Sequence, residues 1–130
     1  MKVLLDTSGY IKHISGIPEF VEKVAAAGEI LMSPIVLGEL MFGFRHGLRI
    51  QANANALGRF LRKDGVRLVP VNEVTADRYS RIALQLRRHG TPIPSNDMWI
   101  AAQAMEHGAE LLTADRHFEQ ISGLVCSVFR

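Results

Sequence analysis

Apolar residues recur along the chain in two alternating rhythms. Short runs with no polar alternation, "KVLL" at residues 2 to 5 and "EILM" at 29 to 32, are separated by longer stretches whose apolar positions return every three or four residues. An uninterrupted short run predicts a strand covered on both faces, and the longer period predicts a helix with one buried stripe. Helices are expected over residues 7 to 13, from Pro18 through "PEFVEKVAAA", from Pro34 to about Gly47, over 51 to 64 and 74 to 88, and across "SNDMWIAAQAMEHG". "VRLVPV" at 66 to 71, "AELL" at 109 to 112 and "GLVCSVF" at 123 to 129 supply three further strands.

The punctuation between elements agrees with this division. Ser33 before Pro34 offers a hydroxyl cap followed by proline at the first helical position. Ser95 or Asn96 is placed to cap the last long helix, and Gly28, Gly65, Gly90 and Gly108 are placed to stop helices. Strands alternating with helices predict an α/β fold built on a mainly parallel sheet, with "KVLL" near its centre. Gly9 and Gly38 fall where bulkier helix formers are expected.

Length and composition narrow the class. At 130 residues, 48% hydrophobic and 22% charged, the chain suits a single soluble domain spanning residues 1 to 130. It has neither a run approaching the roughly 18 to 20 apolar residues of a membrane span nor a secretory leader, which predicts a cytoplasmic protein that does not enter membranes. The lone cysteine, Cys126, has no internal disulfide partner and is expected to pack in the core. The net charge of +2 is too small to argue for nucleic acid by itself. Arginines nevertheless cluster at Arg45 and Arg49, at Arg59 and Arg62, and at Arg78, Arg81, Arg87 and Arg88, on segments that read as helical.

The chemistry is carried by acids. Glu39 is the only charged residue in "SPIVLGELMFGF", with Ile35 and Phe42 at the i−4 and i+3 positions of its helix face. Ionised groups in such surroundings are paired or bound to metal. Asp6 and Asp115 follow two predicted strands, and Asp97 lies in the first turn of a helix. In a parallel sheet these positions share the edge formed by strand C-termini, where open α/β proteins bind ligands. Taken singly, Asp6 suits a helix cap, Asp97 a helix N-terminus and Asp115 a turn. Taken together they need another explanation. Two carboxylates about 4 Å apart repel by about 4 kcal/mol at an effective dielectric near 20, so a fold gathers four of them only around a cation.

Oxygen donors without a His or Cys set at zinc spacing favour Mg²⁺ or Mn²⁺, and such a centre suits hydrolysis of phosphodiesters. The five histidines, His117 among them, are scattered and read mostly as surface or helix-end residues. Thr7, Ser8 and Thr113 are placed to orient water or the acids, or else to cap helices and turns.

"LLDTS", "SPIVLGELMFG" and "PSNDMWIAAQAMEHGAELLTADRHF" resemble, in this order and over essentially the whole chain, the PIN-domain ribonucleases and their short VapC-type toxins. The resemblance implies a three-layer fold with a parallel sheet of order 3-2-1-4-5 between helices. It implies catalytic and metal-holding roles for Asp6, Glu39, Asp97 and Asp115, and supporting roles for Thr7, Asn96 and Thr113. It also implies Mg²⁺- or Mn²⁺-dependent cleavage of an RNA substrate, a homodimer, and inhibition by a cognate antitoxin whose tail covers the site. Alternatives within the fold are an RNA-processing nuclease without an antitoxin and an inactive RNA-binding module. Other folds fit less well. A receiver domain needs paired acids after the first strand and an Asp after the third, and a haloacid dehalogenase phosphatase needs D-x-D where Ser8 stands. No glycine-rich phosphate loop is present.

Overall fold

The computed structural model describes residues 1 to 129. Its elements run β1 (Lys2–Leu5), α1 (Thr7–Ile14), α2 (Pro18–Ala26), β2 (Glu29–Met32), α3 (Pro34–His46), α4 (Ile50–Leu61), β3 (Val66–Leu68), α5 (Glu73–His89), α6 (Ser95–Glu106), β4 (Glu110–Thr113), a 3-10 helix (Arg116–Gln120) and β5 (Cys126–Val128). The five strands are all parallel in the order β3-β2-β1-β4-β5 and are flanked by the helices, as the resemblance implied. No helix among the described residues is long and apolar enough to cross a membrane.

The two uninterrupted apolar runs and "AELL" form the sheet's middle because their side chains find cover on both faces. Val3, Leu4, Leu5, Leu31, Met32, Leu111 and Leu112 are all fully buried. Helices close the core with Phe20 from α2, Val36 and Leu40 from α3, Phe60 from α4, Leu86 from α5 and Ile100 from α6. Cys126 is half-buried and packs against this core.

Several boundaries differ from expectation. β3 stops at Leu68 rather than continuing to Val71, because Pro70 has no N–H for the ladder. β5 starts only at Cys126, after a turn in which Gly123 has φ 83°. α6 has Pro94 at its N-cap, and neither Ser95 nor Asn96 caps it. The side chain of Asn96 is engaged elsewhere, on Glu39. The 3-10 helix after β4 was not anticipated.

Gly9 is the position where expectation and structure differ most. A Cβ there would lie 2.2 Å from the carbonyl oxygen of Leu112, so only glycine lets α1 rest directly on β4. That contact fixes the distance between Asp6 and the end of β4. At Gly38 a Cβ would meet nothing within 4 Å, so no close contact requires glycine there.

Candidate active site

The register of the two central strands sets the site. Leu5 on β1 pairs with Leu112 on β4, so the next residues, Asp6 and Thr113, emerge side by side at the C-terminal edge of the sheet. Asp6 is 5% exposed and caps α1 by accepting from the Gly9 N–H at 2.7 Å. It also accepts from Ser8 Oγ at 2.9 Å and from Thr113 Oγ1 at 2.6 Å. The capping reading of Asp6 therefore holds, and the same carboxylate also meets Thr113 at the sheet edge. Burial pushes its pKa up to about 6, with the three hydrogen bonds pulling down and the charge of Asp97 adding to the rise.

Glu39 enters from α3, whose first turn is fixed by Ser33 Oγ accepting from the Ile35 N–H at 3.1 Å. Its carboxylate is held from two sides. Thr7 Oγ1 donates to Oε1 at 2.5 Å, and Asn96 Nδ2 donates to Oε2 at 3.3 Å. The apolar wall expected around Glu39 is only partly present: Leu40 is buried and Ile35 half-buried, but Phe42 is 65% exposed. Phe42 stands edge-on to His46 at 4.4 Å between ring centroids, on the solvent side of α3. A nearly all-apolar segment concealed which face was the core face. Beside Glu39 opens a cleft lined by Thr7, Tyr10, Ile11, Leu40 and Phe44.

Asp97 sits in the first turn of α6 and Asp115 two residues beyond β4, capping the 3-10 helix. Between them lies a residue that sequence reasoning set aside. His117 Nε2 is 2.6 Å from Asp97 Oδ2, and its Nδ1 is 2.8 Å from Asp115 Oδ1. Asp115 Oδ1 also accepts from the His117 backbone N–H at 3.1 Å. The available signal was a histidine two residues after an acid at a strand end, in "TADRHF". It was missed because that spacing fits no common zinc pattern, and only the tight 3-10 turn folds the ring back onto the acids.

The acids act on one another. Burial raises the pKa of Asp97, the contact with His117 opposes the rise, and the charges of Glu39 and Asp115 add to it. Thr113 links the groups: its hydroxyl donates to Asp6 and accepts from the Asp115 N–H at 3.0 Å. Thr7 and Asn96 thus both touch Glu39, and Thr113 touches Asp6 and Asp115. Serine 8 completes the frame, since its Oγ accepts from the Ala114 N–H at 2.9 Å while donating to Asp6.

The PIN domain model matches residues 3–124. Among relatives, Ribonuclease VapC1 of Rickettsia felis is 33% identical over 100 residues, covering 75% of this chain and 74% of that protein. The tRNA(fMet)-specific endonuclease VapC of Salmonella typhimurium is 28% identical over 127 residues, covering 95% of each chain. The solved structure of VapBC-1 from nontypeable Haemophilus influenzae includes a chain with TM-score 0.85 and 27% identity, with 98% of each chain covered. With β1, α3, α6 and β4 bringing Asp6, Glu39, Asp97 and Asp115 to one sheet edge, and with the match running from the first strand almost to the last, this chain belongs to the PIN-domain family, among the VapC ribonucleases.

Proposed function

We propose that the protein is an endoribonuclease toxin whose divalent-cation centre is held by Asp6, Glu39, Asp97 and Asp115, and whose activity is restrained by an antitoxin. The observation that carries the reading is the support given to acids that would otherwise repel. Of four carboxylates from distant parts of the chain, Asp6, Glu39 and Asp115 are gripped by hydroxyls, an amide or backbone N–H groups and Asp97 meets the His117 ring, which is a framework for a ligand rather than for stability.

The donor set fits Mg²⁺ or Mn²⁺: hard oxygen ligands at one sheet edge, with donor atoms of Asp97, Asp115 and His117 within 4.8 Å of one another, and with Asp6 buried and pushed toward the protonated form when no cation shares its charge. When bound, such an ion supplies the positive charge that polarises a phosphodiester and favours attack by water. The chain's own residues do the positioning. Thr7 and Asn96 orient Glu39, while Ser8 and Thr113 leave Asp6 with little rotational freedom. Exposed arginines such as Arg45 and Arg49 lie on the same segment as Glu39 and past its end, and they offset the repulsion of a polyanion by the acidic centre. The cleft beside Glu39, largely apolar, suits an antitoxin tail reaching over the site.

The test is cleavage of labelled RNA with Mg²⁺ or Mn²⁺ by wild type and by Asp6→Asn and Asp97→Asn, alongside melting curves without metal. Cleavage should fall below detection in both variants. The metal-free variants should melt at the same temperature or higher, because a charge in a repelling cluster has been removed. Full activity in both variants would sink the assignment of the centre. An RNA-processing nuclease without an antitoxin is separated from the toxin by expressing the chain alone: growth arrest relieved by Asp97→Asn is the toxin's outcome.

A further inference from the structure

The ring of His117 has a carboxylate at each nitrogen, and its surroundings assign the nitrogens different roles. Asp115 Oδ1 receives both the backbone N–H of His117, at 3.1 Å, and Nδ1, at 2.8 Å. This grip favours the proton on Nδ1. Nε2 lies only 2.6 Å from Asp97 Oδ2, the distance of a hydrogen bond between ring and carboxylate. A cation that joined Asp97 would take the place of the proton shared in that contact and meet the Nε2 lone pair, while Nδ1–H stayed on Asp115. A metal-bound imidazole that donates its other N–H to a carboxylate has this arrangement. One donor atom from each of Asp97, Asp115 and His117 lies within 4.8 Å of the other two.

We propose that His117 faces the cation through Nε2 and gives the centre a mixed nitrogen and oxygen donor set that favours Mn²⁺ and related first-row transition ions over Mg²⁺. The inference rests on the reading of this cluster as a metal centre. Its physical basis is ligand preference. Mg²⁺ keeps oxygen ligands and its own waters, whereas imidazole suits first-row transition ions, and Mn²⁺ accepts both donor types. With four carboxylates alone the centre would have little reason to discriminate. One nitrogen changes that.

Pulsed EPR of Mn²⁺ added to the purified protein reads the contact directly and needs no catalysis. Wild type should show nitrogen coupling from a coordinated imidazole, altered by ¹⁵N-histidine labelling and absent in His117→Ala. In the same variant Mn²⁺ affinity should drop roughly tenfold or more. Mg²⁺ affinity, measured by competition, should change by less than about twofold. His117→Gln, which keeps a hydrogen-bonding group beside Asp115, carries the comparison if the alanine variant does not fold. Mn²⁺ bound to wild type without nitrogen coupling, coupling that persists in the variants, or an equal loss of affinity for both ions would each overturn the role given to His117. Those results would leave the carboxylate centre standing. Wild type that binds no Mn²⁺ at all would instead remove the metal centre itself.

Discussion

At the scale of single residues, the site is a balance between burial and charge, and Asp6 carries most of it. Its pKa of about 6 in the fold exceeds its ordinary value of 3.8, so the folded chain binds the proton more tightly than the unfolded chain. The stabilisation is fully present below pH 4 and is lost as pH rises through about 6. The whole effect amounts to roughly 3 kcal/mol. Metal-free wild type should therefore lose stability between pH 4 and pH 7 relative to Asp6→Asn, measured as the difference between their denaturant midpoints at each pH. A constant difference would mean that Asp6 does not titrate in this range. Glu39 makes a separate prediction. Its carboxylate is held by Thr7 and Asn96 while the buried part of α3 packs through Val36 and Leu40, so function and folding occupy different faces. Glu39→Gln should weaken metal binding about tenfold or more in calorimetry while leaving the circular dichroism melt within a few degrees of wild type. Unfolding of this variant would make Glu39 a structural residue.

At the scale of elements, the decisive contact is α1 on β4. Helix α1 begins at the cap that Asp6 provides and passes so close to Leu112 that a methyl group at residue 9 would overlap its carbonyl oxygen. Gly9→Ala would normally favour a helix by up to about 1 kcal/mol. Here it should destabilise by about 1 to 3 kcal/mol, because the helix must lift away from the strand. The same lift would pull Asp6 away from Thr113, so RNA cleavage should fall more steeply than stability. Denaturant unfolding and a cleavage assay on the one variant check both parts, and a stabilised, active Gly9→Ala would refute the contact. Sequence periodicity located six helices and five strands near their observed positions, since buried stripes and uninterrupted apolar runs are local properties. It did not explain Gly9, because its reason is an oxygen atom more than a hundred residues away in the chain. Nor did it foresee the 3-10 turn, which is too short to have a period.

At the scale of the whole molecule, the site is where two central strands end and two helices begin or pass, and a cation bound there would tie all four together. Binding to the folded form alone stabilises it by RT ln(1 + [L]/Kd), about 2.7 kcal/mol at a hundred times Kd. Mg²⁺ or Mn²⁺ should therefore raise the melting temperature of wild type by several degrees, and chelator should reverse the rise. Asp97→Asn should show little of this shift. An equal shift in wild type and variant would place the ion elsewhere. The sequence by itself determined the class of fold and its central strands and singled out four acids as candidates, because apolar runs, caps and lone charges among apolar residues are legible in linear order. The tertiary structure decided how those acids are held, that Phe42 faces solvent rather than Glu39's wall, and that His117 stands between Asp97 and Asp115. The physical reason is that a hydrogen bond or a carboxylate's surroundings depend on atoms brought together by strand register and helix docking, and neither of these has a signature along the chain.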